Sequence, residues 1–152
     1  MSAPPVGQRF PSLTLQTAGY KDLRVPEDFA SQAVVLSWFP YAFSPTCTEE
    51  LTGFARVHGE LERRGATVLA ASCDHWYSNE AYRRALGATY PFASDWFRTE
   101  ARKLGIFDER KQRSGRAIYV IDRAGGLRWA KVYGTDACPK VEEFLPALDE
   151  LS

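Results

Sequence analysis

The stretch Val34-Val-Leu-Ser-Trp-Phe-Pro-Tyr-Ala-Phe-Ser-Pro-Thr-Cys47-Thr-Glu-Glu-Leu51 constrains the fold most, because it joins a buried strand to a helix with a cysteine at the junction. Val34 to Phe39 is almost wholly apolar and rich in β-branched and aromatic side chains, as a strand covered on both faces requires. Pro40 and Pro45 stop that strand and bracket a rigid loop, since each fixes its own φ and lacks a backbone donor. Beyond them Thr46 is a candidate cap and Glu49 and Glu50 are expected in the first helical turn. Leu51, Phe54, Val57, His58 and Leu61 recur at helical spacing, with His58 expected to be packed on that stripe. Cys47 is therefore expected in the first turn of a helix. Unpaired N–H groups and the positive dipole end there favour a thiolate over a thiol, and so a reactive cysteine.

The flanking chain reads as its scaffold. Leu13–Thr17 and Asp22–Val25 predict an N-terminal β-hairpin turning at Gly19. The helix after Cys47 is expected over Thr48–Arg64, closed by Gly65, and Ala66–Cys73 is the next buried strand. Ser78 is the candidate cap of a helix ending at Leu86, and an irregular stretch from Tyr90 leads to a short helix over Thr99–Leu104. Ala117–Asp122 and Leu127–Tyr133 flank a hairpin turn at Arg123-Ala-Gly-Gly126. A terminal helix is expected from Pro139, with Val141, Phe144, Leu145, Leu148 and Leu151 on one face and Pro146 bending it. Right-handed crossovers together with fold analogy, which the sequence pattern alone does not supply, would centre the strand leading to Cys47. An antiparallel neighbour then brings Arg116 to the Cys47 end of the sheet, with Cys73 and the segment leading to Cys138.

The 152 residues suit a single domain over the whole chain, and 19 basic against 19 acidic residues leave no charge footprint for nucleic acid or an anionic membrane. No apolar run reaches spanning length and the N-terminus lacks a signal-peptide pattern, so cytoplasmic residence is expected. Three scattered cysteines without Cys-x-x-Cys fit neither a disulfide framework nor a structural metal site, and no metal is expected at Cys73-Asp74-His75. Redox use remains. The run Arg110-Lys111-x-Arg113-x-x-Arg116 is expected to be a solvated loop, the alternative being a basic surface that draws an acidic reductant, with Arg113 the other choice of site cation if the register shifts.

Pro40-x-x-x-Ser44-x-x-Cys47 resembles the active-site motif of the peroxiredoxins in its Thr/Ser-tolerant form, and Glu50 also matches. Val6–Leu15 resembles that family's opening strand and Ser114–Asp122 its arginine-bearing strand. The likeness runs from about Val6 to Leu151 and points to the AhpC/TSA type, near AhpE-like and bacterioferritin-comigratory-protein-like members.

The resemblance implies an α/β thioredoxin-like fold, with a central mixed sheet flanked by helices and an N-terminal hairpin. It also implies a cofactor-free, thiol-dependent antioxidant peroxidase reducing hydrogen peroxide or organic hydroperoxides through a cysteine sulfenic acid. Its roles fall on Cys47 as peroxidatic nucleophile, Ser44 as hydroxyl partner of peroxide and sulfur, and Arg116 as the cation beside both. Pro40 would shield the sulfenate and Glu50 would orient Arg116. Partners implied are a peroxide, an external thiol reductant of thioredoxin-, glutaredoxin- or mycothiol-like kind, and a second copy in a homodimer; Trp38, Trp76, Trp96 and Tyr41 are candidates either for that contact or for the core. Ser44 departs from the commoner Thr, and Tyr41–Phe43 is unusually aromatic.

Three routes for reducing the sulfenate stay open. Cys138, expected at a helix start that favours its thiolate, is the candidate resolving cysteine; Cys73 is expected to be buried; and an external thiol can attack Cys47 directly. Two other functions also compete. A thioredoxin-like thiol–disulfide oxidoreductase lacks its second cysteine three residues from Cys47, and a non-catalytic redox sensor would show no turnover.

Overall fold

Short apolar runs rich in β-branched residues form the central strands, as seen in a computed structural model that describes residues 5–134 and 137–151. In chain order these are β1 (Leu13–Thr17), β2 (Lys21–Val25), β3 (Ala33–Trp38), α1 (Pro45–Arg63), β4 (Ala66–Ser72), α2 (Trp76–Leu86), β5 (Phe92–Ser94) and α3 (Thr99–Lys103). They are followed by β6 (Phe107–Asp108), β7 (Arg113–Ser114), β8 (Arg116–Ile121), β9 (Leu127–Tyr133) and α4 (Leu145–Asp149). Seven strands form one mixed sheet in the order β2-β1-β5-β4-β3-β8-β9, and β6 and β7 form a separate ribbon. This is the thioredoxin-like arrangement expected, with the hairpin β1–β2 at one edge.

The central strand β3 runs parallel to β4 and antiparallel to β8, and every residue of all three strands is buried. Successive side chains point to opposite faces, so two cores form. Val35, Val68, Ile118 and Val120 pack under Leu51, Phe54 and Leu61 of α1, with Tyr82 of α2 and Phe144 and Leu148 near the C-terminus. Leu36, Trp38, Leu69 and Cys73 lie on the other face with Leu13, Leu15, Val25 and Leu104. Each fully buried leucine or phenylalanine contributes about 1.5–3 kcal/mol by leaving water.

The structure departs from the expected element boundaries in several places. Glu49 and Glu50 lie in the second turn of α1, because Pro45 takes the first helical position and Ser44, not Thr46, is the N-cap. The cap of α2 is His75, whose ring accepts the Tyr77 N–H at 3.2 Å, so Ser78 is the third residue of the helix and not its cap. The stretch around Phe92 is a strand, β5, pairing with β4 and linking the hairpin to the sheet. The Arg110 run turns between β6 and β7, which buries Arg113 instead of leaving it in solvent. The C-terminal segment forms a single 3-10 turn, Val141–Glu143, and then α4, with Pro146 in the first turn of α4 rather than at a bend in a longer helix.

Candidate active site

Cys47 is the third residue of α1, and its place follows from the local sequence. Pro45 suits the first helical position because it has no N–H to leave unpaired. Ser44 has the extended backbone of a cap, and its carbonyl accepts the Thr48 N–H at 2.9 Å. Its hydroxyl makes no capping bond, so it remains available to a ligand.

The register of the sheet brings the cation to the sulfur. Trp38 pairs with Ala117, so Arg116 stands just beyond the end of β3, where the chain enters the cysteine loop. Arg116 Nη2 donates to Cys47 Sγ at 3.3 Å, and Nη1 donates to Glu50 Oε1 at 2.5 Å. Glu50 Oε2 in turn accepts from the Ser37 hydroxyl at 2.5 Å. Burial pushes the Glu50 carboxyl above its usual range, while Ser37 and Arg116 pull it back. Cys47, Glu50 and Arg116 are all buried, so a full positive charge donates to the sulfur with little water to weaken it. The sulfur is buried, but with a charged donor at contact.

A cleft of about 530 Å³ opens above this pair, lined by Pro40, Tyr41, Ser44, Thr46, Arg113 and Arg116 among others. Cys47 does not itself line it. A peroxide in the cleft therefore meets Arg116 and Ser44 before it meets sulfur. The loop carrying Pro40 and Ser44 is tied down at two points. Asp74, after β4, accepts the Ala42 N–H at 2.9 Å, and the Phe43 ring packs on Tyr82 at 4.7 Å between centroids. Burial pushes the Tyr82 phenol up to about 12, so it stays neutral while it shares a 2.8 Å hydrogen bond with the Thr48 hydroxyl.

The site residues expected from sequence fall into three groups. Cys47, Arg116 and Glu50 are in contact, and Ser44 and Pro40 line the cleft over them. Cys73 belongs to the core on the opposite face, and burial with Asp95 nearby pushes its thiol up to about 12. Cys138 is half-buried and lines a second cleft with Glu49 and Glu50 on α1. The expected helix start at Cys138 is absent, since the 3-10 turn begins only at Val141. Burial, then Glu49 and Glu50, raises its thiol instead of lowering it. His58 is packed between the hydroxyls of Thr89 and Thr67, at 2.9 and 3.1 Å. Ser37 goes unnoticed in the sequence, and Asp74 is weighed there only as a metal ligand, not as the anchor of the cysteine loop. Ser37 carried one signal, as the single polar residue in an otherwise apolar strand.

Comparison with known proteins gives the following. The AhpC/TSA family profile matches residues 6–130. A peroxiredoxin of Hyperthermus butylicus is 27% identical over 99% of this chain and 68% of its own length. One of Aeropyrum pernix is 30% identical over 95% of this chain and 61% of its own, and peroxiredoxin 1 of Caldanaerobacter subterraneus subsp. tengcongensis is 30% identical over 96% and 71%. This chain thus spans roughly two thirds of the length of these relatives. The crystal structure of Enterococcus faecalis AhpC superposes with a TM-score of 0.84, covering 99% of this chain and 92% of that one at 22% identity.

Proposed function

The chain belongs to the AhpC/TSA family and is a thiol peroxidase, and we propose that it reduces its peroxide at Cys47, with Arg116 and Ser44 binding the reacting oxygens. The reading rests on one observation, the Arg116 guanidinium held by Glu50 and donating to the sulfur. The Cys47 thiolate attacks one peroxide oxygen, a sulfur–oxygen bond forms, and the O–O bond breaks. Its electron pair leaves on the other oxygen, which takes up a proton to become water or an alcohol. Arg116 and the Ser44 hydroxyl are placed to donate to that oxygen as its charge grows. Glu50 fixes Arg116 through its second arm, and buried Pro40 shields the sulfenic acid left on Cys47.

Cys138 is the proposed resolving cysteine. It shares its cleft with Glu49 and Glu50 and feels the charge of Arg116, whereas Cys73 is separated from Cys47 by the sheet. Its thiolate attacks the sulfenate sulfur, a disulfide forms and water leaves. Two thiol groups of an external reductant of thioredoxin-, glutaredoxin- or mycothiol-like kind then return both cysteines to thiols, the first through a mixed disulfide that the second displaces, and are themselves oxidised to a disulfide. Mass spectrometry after one equivalent of hydrogen peroxide, without reductant, should find the Cys47 and Cys138 peptides linked. Sulfenate trapped on Cys47 alone would overturn the role of Cys138, and an unmodified Cys47 would overturn its own. Because the Cys138 thiol is raised, its thiolate is scarce at neutral pH, and disulfide formation is expected to quicken about tenfold from pH 7 to 8.

A dimer joined around the cysteine loop is proposed as the assembled state. Tyr41 is 45%, Trp96 43% and Phe97 70% exposed at this end of the molecule, whereas Trp38 is fully buried and supplies no contact. Trp76 is half-buried beneath Tyr20, at 5.1 Å. Sedimentation at micromolar concentration should give twice the mass of one chain, and Trp96→Glu should halve it. A native monomer would overturn the dimer. Among the described residues no helix is long and apolar enough to cross a membrane. A reducing compartment such as the cytoplasm, which keeps thiols available, is the proposed location.

A further inference from the structure

Arg113 is 6% exposed, yet among the described residues its guanidinium has no ion-pair partner and its Nε lies buried without a hydrogen bond. The two nearby acids are otherwise engaged. Asp108, its register partner on β6, feels its charge but accepts from the Arg110 and Lys111 N–H groups, each at 3.0 Å. Asp74 borders a neighbouring cleft with Arg113 but accepts from Ala42 N–H and the Ser72 hydroxyl. What Arg113 does have is the Tyr41 ring at 5.1 Å and the cleft above Cys47, which it shares with Arg116 and the exposed Lys111. A buried cation left without a carboxylate is costly, and this one is turned to a space a ligand can enter.

The size of that space matters. Water takes about 30 Å³ in the liquid, so hydrogen peroxide would occupy a small part of the cleft of about 530 Å³. Arg113 and Arg116 are three residues apart, which sets their Cα atoms at most about 11 Å from each other. A molecule with one anionic end and a hydroperoxide a few carbons away would span them, its chain lying on Tyr41, Pro40 and Pro45.

We propose that Arg113, with Lys111 at the rim, receives the carboxylate of a hydroperoxide that carries one, so that anionic organic hydroperoxides are preferred to neutral ones. This rests on the peroxidase reading and adds no new chemical step; it names which peroxide the cleft selects. Sulfenate formation, followed by stopped-flow tryptophan fluorescence, is compared for hydrogen peroxide, a short alkyl hydroperoxide bearing a carboxylate, and its methyl ester. The acid should react about ten- to a hundredfold faster than the ester, the worth of one charge-assisted hydrogen bond. The ratio should fall with added salt and approach one in Arg113→Met. Equal rates for acid and ester in the native protein, with hydrogen peroxide still reacting, overturn this proposal alone. No reaction with hydrogen peroxide overturns the peroxidase reading beneath it. Should Arg113→Met not fold, a non-peroxidic carboxylate of the same chain length decides in the native protein. It should inhibit where its methyl ester does not, and equal inhibition by both overturns the proposal.

Discussion

Arg116→Met is expected to slow sulfenate formation by about 10²–10³-fold, the usual cost of removing a preorganised donor from a developing oxyanion. It should also destabilise the fold by about 3–5 kcal/mol, because Glu50 would be left buried without its counter-charge. The two effects have different origins and can be separated. In Arg116→Met with Glu50→Gln the stranded charge is gone, so most of the stability should return in urea unfolding. The rate should not return, since no cation then donates to the sulfur and the departing oxygen is left with the Ser44 hydroxyl alone of its two proposed donors. A double variant that regains the native rate would mean that Arg116 acts only as a partner for Glu50, and the site chemistry described above would fall.

Cys47→Ser should remove peroxide reduction altogether, by a factor on the order of 10³ or more, as loss of an enzymatic nucleophile does. A serine hydroxyl is close to the thiol in size and can accept the same donor from Arg116, so the fold should survive nearly unchanged. Its alcohol is not a nucleophile toward peroxide, and among the described residues Glu50, the carboxylate of this cluster, is engaged by Arg116 and Ser37. Stopped-flow fluorescence with hydrogen peroxide should therefore show no fast phase in Cys47→Ser and an intact one in Cys138→Ser. A fast phase persisting in Cys47→Ser would move the chemistry to another residue.

What could be read in the sequence was what local chemistry dictates. An apolar run ended by proline, then helical spacing, put Cys47 in the first turn of its helix, although the helix starts at Pro45, three residues before the expected Thr48, and is capped by Ser44. The hairpin turn at Gly125-Gly126 located β8, and fold analogy, not local chemistry, set it antiparallel to β3 and so brought Arg116 to the Cys47 end. What escaped depended on contacts distant in the chain. β5 is only three residues long and exists because β4 and β1 offer it partners. Arg113 looked solvated because its charged neighbours are, and only the pairing of β6 with β7 turns it inward. Pro139 suggested a helix start, but the apolar stripe after it is satisfied by a short 3-10 turn and α4 packing on Phe54 and Trp129, and Cys138 is left facing two carboxylates.

The loop over the cysteine contains Phe43 at φ 68°, a left-handed backbone that a phenylalanine adopts at a cost of about 1–2 kcal/mol. Its ring contact with Tyr82 and the neighbouring Asp74 tether hold it there. The segment is thus latched against a small spring. Removing either contact, as in Tyr82→Ala, is therefore expected to let the backbone at Phe43 relax and to loosen the cover over the sulfur, so that a side chain that never meets the peroxide bears on its access.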